Sequence, residues 1–232
     1  MQALRDGYRA VVVGASGGIG SAVEALLRDD PRAGAVSGLG RRSDPGLDLT
    51  DEPSIAAAAQ ALSAVDGIDL VFDATGALSI DGVGPEKTLR ALDPAAMARQ
   101  FAVNAIGPAL LIKHFLPLMP RDRRAVFVTL SARVGSIGDN SLGGWISYRA
   151  SKAALNQIVR TAAIEAARTH PQAVIAALHP GTVATRLSAA FSRGHTVFEP
   201  EDAAERLLAV VDRLEPSASG GFFAYDGSVV PW

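Results

Sequence analysis

The chain has 232 residues, 48% hydrophobic and 20% charged, with a formal net charge of −2 at pH 7. That length suits one α/β domain or two small ones, and the composition is too apolar for a disordered chain. The near-neutral balance lacks the dense basic field of a protein built for nucleic acid, and the absence of cysteine excludes a disulfide framework or a thiolate metal site.

The N-terminus is charged and then enters a short apolar run broken by glycine, unlike the core of an export signal. The most apolar long window, residues 101–119, is interrupted by Asn104, Gly107, Pro108, Lys113 and His114, so no uninterrupted membrane span is expected. The expectation is a cytoplasmic protein without membrane insertion.

Short β-type runs alternate with helical stretches. Residues 9–14, RAVVVG, predict a buried strand closed by glycine, and residues 18–30 a helix. A weaker strand spans 34–40. A helix over 51–65 has Asp51 as a candidate cap and Pro53 in its first turn. Residues 68–76, IDLVFDATG, predict the third strand and its loop. The next helix opens with Asp93 as cap and Pro94 at its first position, and runs towards Pro117 with a bend expected near Gly107 and Pro108.

Residues 125–131 predict strand four, 147–170 a long helix, 173–181 strand five, 199–214 a helix and 220–227 a terminal strand. Strands alternating with helices imply parallel pairing, because parallel strands need long crossovers. The whole chain, residues 1–232, is expected to form a single-domain, Rossmann-like doubly wound parallel sheet with helices on both faces.

The first strand and helix are joined by GASGGIG, which places Gly14, Gly18 and Gly20 at the turn. Glycine there lets the backbone approach a pyrophosphate, and the helix N-terminus offers free N–H groups. Ser16, Gly17 and Ile19 lie in the same expected cofactor contact. An acidic residue after the second strand would hold the ribose of NAD. Arg41 and Arg42 stand there instead, and arginine can bind a 2′-phosphate. The expected cofactor is NADP(H), with NAD(H) as the alternative.

Tyr148 and Lys152 are four residues apart on a predicted helix, and so share one face. A free phenol has a pKa near ~10. An adjacent ammonium is expected to lower it and to bond the nicotinamide ribose. Tyr148 could then give a proton to a carbonyl oxygen, or take one from an alcohol, as hydride moves.

Five ordered motifs, GASGGIG, DLT, the Asn of FAVNAIG, YRASK and PGTVAT, resemble those of the short-chain dehydrogenase/reductase family, and the terminal YDG also fits. They span Gly14 to Thr185. The longer string LSARVGSIGDNSLGGWISYRASKAALN resembles the C-factor (cell–cell signalling) branch. The resemblance implies that Asp48 and Leu49 meet the adenine, while the segment from Asp73 through Ala74 and Thr75 to Gly76 runs along its ribose. It implies that Asn104 helps hold a proton-relay water, that Tyr148 is the acid/base and that Lys152 is its partner. Pro180, Gly181, Thr182, Val183 and Thr185 would flank the nicotinamide.

Three departures stand out. Val13 and the DATG segment replace the residues that tether the family's first and third loops, so packing or Thr75 must replace that contact. The carbonyl-orienting serine of the family falls three residues before a glycine, which here is Ala132. Ser131 is adjacent, and adjacent strand residues point to opposite faces. Either the strand end is irregular and Ser131 reaches the cleft, or the role is vacant; Ser136 is a more distant candidate. Ser131 is favoured. Third, the spacing from Ser131 to Tyr148 is long, and the extra loop GDNSLGGW brings Trp145 one turn before Tyr148, where it could line a pocket or pack.

The four histidines show no metal-ligand spacing. His179 is expected to pack at a strand end. His195 lies in the stretch where the family carries its substrate lid, and Trp232 could pack at a subunit contact. The sequence therefore points to an NADP(H)-dependent oxidoreductase of a small carbonyl or alcohol, as a homodimer or homotetramer by family analogy. The alternative is a nucleotide-binding signalling or regulatory protein of the same fold with little turnover.

Overall fold

The computed structural model describes residues 1–63, 67–185 and 197–232. Among the described residues eight strands and six α-helices follow in chain order: β1 (Tyr8–Val13), α1 (Gly18–Asp29), β2 (Ala33–Leu39), α2 (Glu52–Ala61), β3 (Leu70–Asp73), α3 (Pro94–Phe101), α4 (Gly107–Phe115), β4 (Ala125–Leu130), α5 (Ile146–Ala166), β5 (Ala173–His179), β6 (Thr182–Val183), β7 (Val197–Phe198), α6 (Pro200–Arg213) and β8 (Phe222–Ala224).

Six strands form one sheet in the order β2-β1-β3-β4-β5-β8, every pair parallel. The register places Val11 beside Val71, Val71 beside Phe127, and Phe127 beside Ile175. β4 is buried along its whole length, which is why it reads as a continuous apolar run and not an alternating one.

Alternation survives in which face each residue covers. Val11, Val13, Val71, Phe127 and Ile175 pack with Ile55 of α2, Leu111 of α4 and Leu155 of α5. Val12, Phe72, Val126, Val128 and Val174 pack on the opposite face with Val23 and Leu27 of α1 and Leu207 of α6. Burying each such side chain contributes roughly 1.5–3 kcal/mol. The run Pro94–Leu118 is long and apolar enough to cross a membrane by length and composition. Its Leu111, Ile112 and Phe115 are nevertheless part of this core.

The long helical stretch is not one α-helix. Asp93 caps α3 as expected, its Oδ1 accepting from Ala96 N at 2.6 Å. A five-residue π turn, Ala102–Ile106, then separates α3 from α4, and Gly107 N bonds back to Ala102 O. The irregularity falls just before the expected bend. Pro108 has no N–H for the carbonyl of Asn104, four residues back, and its ring crowds that carbonyl, so the preceding turn widens.

A small feature was not anticipated. β6 and β7 pair in parallel beyond the end of β5, where the chain turns at Gly181 with φ +78°. Phe198 of β7 packs edge-to-face on Tyr225 at 4.8 Å, and the Arg206 guanidinium of α6 lies 4.9 Å from the Phe198 ring centre.

Candidate active site

From β1 the chain runs to β2 on one side and later to β3 on the other. The crevice at the carboxyl ends of β1 and β3 is therefore the switch point where open α/β sheets take their ligands. Both predicted loops open there. Ser16, Gly17 and Gly18 are exposed, Ile19 is half-buried and Gly20 is buried. A Cβ on Gly20 would lie 2.1 Å from Gly14 O, and one on Gly18 would lie 2.8 Å from Thr185 Cγ2. At Gly20 a Cβ would strike backbone, so the turn requires glycine there, while at Gly18 the obstacle is the Thr185 methyl, which brings the PGTVAT segment against the loop. A cradle of bare backbone at a helix N-terminus fits a dinucleotide pyrophosphate.

The missing tether between the first and third loops is replaced by backbone and packing. Ala74 N donates to Val13 O at 2.9 Å. A Cβ on Gly14 would sit 3.1 Å from the Thr75 methyl. Arg41 and Arg42 are exposed beyond β2. Gly40 beside them leaves Ser16 Oγ 3.7 Å from where its Cβ would be. Asp48 accepts from Thr50 N at 2.8 Å and Thr50 Oγ1 at 2.7 Å. These bonds, with Arg41 nearby, hold its carboxyl below the usual range. Leu49 packs where α4 begins, because Gly107 lets it approach: a Cβ there would lie 2.8 Å from Leu49 Cβ.

Tyr148 and Lys152 are both buried on α5. Lys152 Nζ donates to Leu130 O, at the end of β4, at 2.7 Å. It also lies 3.1 Å from where a Gly76 Cβ would be, and Asn104 Oδ1 lies 3.4 Å from that point. Gly76, with φ +145°, leaves the space open. Asn104 Oδ1 accepts from Ala77 N at 2.8 Å. Its Nδ2 donates to Ala77 O at 2.8 Å, to Gln100 Oε1 at 2.6 Å and to Ser151 Oγ at 3.2 Å. Asn104 therefore pins the loop after β3 against α5, beside the lysine.

The electrostatics correct one expectation. Lys152 was expected to lower the pKa of Tyr148, but burial pushes the phenol up to about 12. The ammonium points to the Leu130 carbonyl, and burial lowers its own pKa to about 8 against the opposing charge of Asp73. Asp73 is fully buried at the end of β3. Burial pushes its carboxyl up, against bonds from Thr129 Oγ1 at 2.6 Å, Thr75 Oγ1 at 2.5 Å and Thr75 N at 3.0 Å, and against Lys152.

Ser131 is buried at the end of β4, and its hydroxyl donates to Asn156 Oδ1 at 2.6 Å. Asn156 follows Tyr148 and Lys152 at four-residue steps, so it continues the same face of α5. Ser136 Oγ accepts from Asp139 N at 3.1 Å, inside its own loop. His179 Nδ1 accepts from Arg133 N at 3.4 Å, and burial with the nearby Arg133 lowers its pKa to about 4, consistent with strand-end packing. Trp145 stands edge-on to Tyr148 at 6.3 Å. His195 lies outside the described residues. Pro180, Gly181 and Thr182 are half-buried and Val183 is buried, on the far wall of the cleft.

Asn156, Ser151 and Gln100 were not singled out from sequence, and Asp73 was named only as part of the segment expected along the adenine ribose. Asn156 and Ser151 carried a usable signal, being spaced along one helix from Tyr148. Gln100 carried none. Among the described residues no group of three or more His, Asp or Glu could hold a metal ion.

This sheet and cleft define a Rossmann-like α/β fold of the nucleotide-binding kind. The chain belongs to the short-chain dehydrogenase/reductase family: a family model described as enoyl-(acyl carrier protein) reductase matches residues 27–225. It is 34% identical to the 1-hydroxy-2-glutathionyl-2-methyl-3-butene dehydrogenase of Rhodococcus sp. (strain AD45), over 96% of this chain and 98% of that one. It is 38% identical to the C-signal protein of Myxococcus xanthus, over 61% of this chain and 81% of that one. The NADPH-bound carbonyl reductase from chicken fatty liver superposes with a TM-score of 0.85 at 26% identity, covering 99% of this chain and 100% of that one.

Proposed function

We propose that this protein is an NADP(H)-dependent oxidoreductase that interconverts a small carbonyl compound and its alcohol. One observation carries the reading. Tyr148 and Lys152 are buried together on one face of α5, and Lys152 Nζ reaches the open space at Gly76, at the switch point of the sheet. The NADPH bound in the chicken carbonyl reductase supports the choice of cofactor, and the hydroxyl-bearing substrate in the Rhodococcus enzyme's name supports the substrate class.

When bound, the nicotinamide supplies or accepts hydride. The glycine-rich loop, Gly14 to Gly20, would take the pyrophosphate on backbone N–H groups. Ser16, Arg41 and Arg42 would take the 2′-phosphate, and Asp48, Leu49, Ala74, Thr75 and Gly76 the adenosine. Pro180 to Val183, with Thr185, would wall the nicotinamide. Lys152 would turn from Leu130 O to the ribose hydroxyls.

With its pKa near about 12, Tyr148 holds its proton at neutral pH, which suits an acid delivering that proton to a carbonyl oxygen. Ser131 would orient the carbonyl by exchanging its Asn156 acceptor for the substrate oxygen. Asn104 holds the loop beside Lys152 and would anchor the proton relay. We propose a homodimer or homotetramer through the outer faces of α4 and α5, where Ile164 is exposed, as is Ile106 just before α4. A cytoplasmic location is part of the same reading.

The test is NADPH titration followed by a panel of ketones, aldehydes and hydroxyl-bearing thioether conjugates. Tyr148→Phe should cut turnover by about 10²–10⁴ while leaving nucleotide affinity nearly unchanged. No turnover by the parent, or full turnover by Tyr148→Phe, defeats the proposal. The C-signal likeness keeps one second reading open, a nucleotide-binding regulator. It predicts tight NADP(H) binding with no turnover across the panel.

A further inference from the structure

Helix α5 begins without a cap of its own. Its N-cap position is Trp145, held left-handed at φ 54° with no side-chain cap bond, after Gly143 and Gly144 at φ +65° and +69°. Three positive-φ residues in a row, one of them tryptophan, form a turn that local propensity does not favour. Something outside the helix must hold it.

That support comes from 61 residues earlier in the chain. Glu86, on the loop between β3 and α3, is buried. Its Oε2 accepts from Ser147 N at 3.2 Å, and its Oε1 accepts from the Ser147 hydroxyl. Its backbone carbonyl accepts from Trp145 N at 2.5 Å. Ser147 N is one of the four N–H groups that an α-helix leaves without a partner at its start, and a carboxylate there also meets the positive end of the helix dipole. Burial opposes ionisation of Glu86, but the Ser147 bonds together with its own backbone N–H outweigh it and hold the carboxyl below its usual range.

The residue held this way is the immediate neighbour of Tyr148. The same loop is fixed at its other end, where Ala77 bonds Asn104 in both directions and Leu78 O accepts from Gln100 Nε2 at 2.9 Å. Glu86 thus closes a bracket that runs from Asn104 to the first turn of α5.

We infer that Glu86 is the positioning residue for Tyr148: as a cap supplied from a distant loop, it sets where the phenol stands in the cleft. The inference rests on the carbonyl–alcohol reading of the site. Glu86 touches no reacting atom in this scheme. A misplacement of about 1 Å can cost on the order of a hundredfold in rate, so a cap of this kind acts on turnover more than on binding.

The experiment compares the parent with Glu86→Ala, Glu86→Gln and Ser147→Ala, measuring kcat on the best substrate, NADPH affinity by titration, and amide hydrogen exchange across residues 145–150. Glu86→Ala should lower kcat at least about tenfold, leave NADPH affinity within about twofold of the parent, and speed exchange in that segment. Glu86→Gln keeps an acceptor for Ser147 N and should recover most of kcat. Ser147→Ala removes one of the two side-chain bonds and should fall between, which keeps the question answerable if Glu86→Ala fails to fold.

An unchanged kcat in Glu86→Ala overturns the inference. So does a parallel loss of kcat and nucleotide affinity, which marks general damage, or a glutamine variant no better than alanine. A parent with no turnover defeats the reading of the site instead, and unchanged exchange at 145–150 in Glu86→Ala then still defeats the cap.

Discussion

Replacing Lys152 by methionine should make the protein more stable and inactive. Methionine matches the length of the lysine stem and carries no charge. The ordinary lysine pKa of 10.5 falls to about 8 in the folded protein, where the side chain is fully buried. At about 1.4 kcal/mol per pH unit, the buried ammonium costs the fold about 3 kcal/mol at neutral pH. The variant also removes a hydrogen bond to Leu130 O, worth about 1 kcal/mol. Removing the ammonium also leaves the buried Asp73 carboxyl without its opposing charge, so the stabilisation expected at pH 7 is smaller than the burial cost alone.

The pH dependence is the sharper signature. Below pH 8 both folded and unfolded states hold the lysine proton, and the cost is fully present. Between 8 and 10.5 the unfolded chain binds the proton and the folded one does not, so the stability of the parent rises relative to the variant. The advantage of Lys152→Met should shrink by about 2 kcal/mol between pH 7 and 9.5. Tyr148, with a pKa of about 12, stays protonated across this range in the parent. Urea unfolding of each protein at pH 7, 8.5 and 9.5 measures this. A variant less stable at pH 7, or an advantage that stays constant or grows with pH, refutes the account of Lys152 as a charge kept at a cost to the fold.

Three further outcomes follow from the same geometry. Because Tyr148 titrates only at about 12, alcohol oxidation should rise between pH 6 and 9, while carbonyl reduction should hold up to the Lys152 pKa of about 8 and fall only above it, as that ammonium loses its proton; a shared optimum near pH 7 in both directions contradicts the assignment. Replacing both Arg41 and Arg42 with alanine should weaken NADPH at least about tenfold and leave NADH nearly unchanged, as measured by fluorescence titration at fixed salt. Ser131→Ala should lower kcat about 10²–10³-fold if its hydroxyl orients the carbonyl, with NADPH affinity held; an unchanged kcat assigns that hydroxyl to its bond with Asn156 alone.

Much of the architecture was legible because its signals are local. Glycine at 14, 18 and 20, the β-branched run before it, and the regular alternation of apolar strand and amphipathic helix depend on steric and burial rules within a few residues. Six parallel strands follow from that alternation, as does the shared face of Tyr148 and Lys152 from a four-residue spacing. The cap at Asp93 was readable for the same reason, since its acceptor lies three residues from the N–H it bonds. The widened turn at Asn104 was half legible: Pro108 announced a defect, but only the path of the backbone shows which carbonyl it displaces.

What tertiary structure alone decided depends on groups far apart in sequence. The charge of Lys152 lies beneath a carbonyl of β4 and near a carboxylate of β3, and burial there reverses the expected direction for the Tyr148 phenol. Ser131 meets Asn156, and Glu86 meets Ser147 across 61 residues. A pKa is set by desolvation and by every charge within reach, and a cap by whichever acceptor arrives. Neither quantity exists until the chain has folded. The sequence by itself determined the parallel α/β fold, the glycine-rich turn after β1 and the shared helix face of Tyr148 and Lys152. The three-dimensional packing decided the burial that shifts both side chains' pKa values and the contacts that hold them in place.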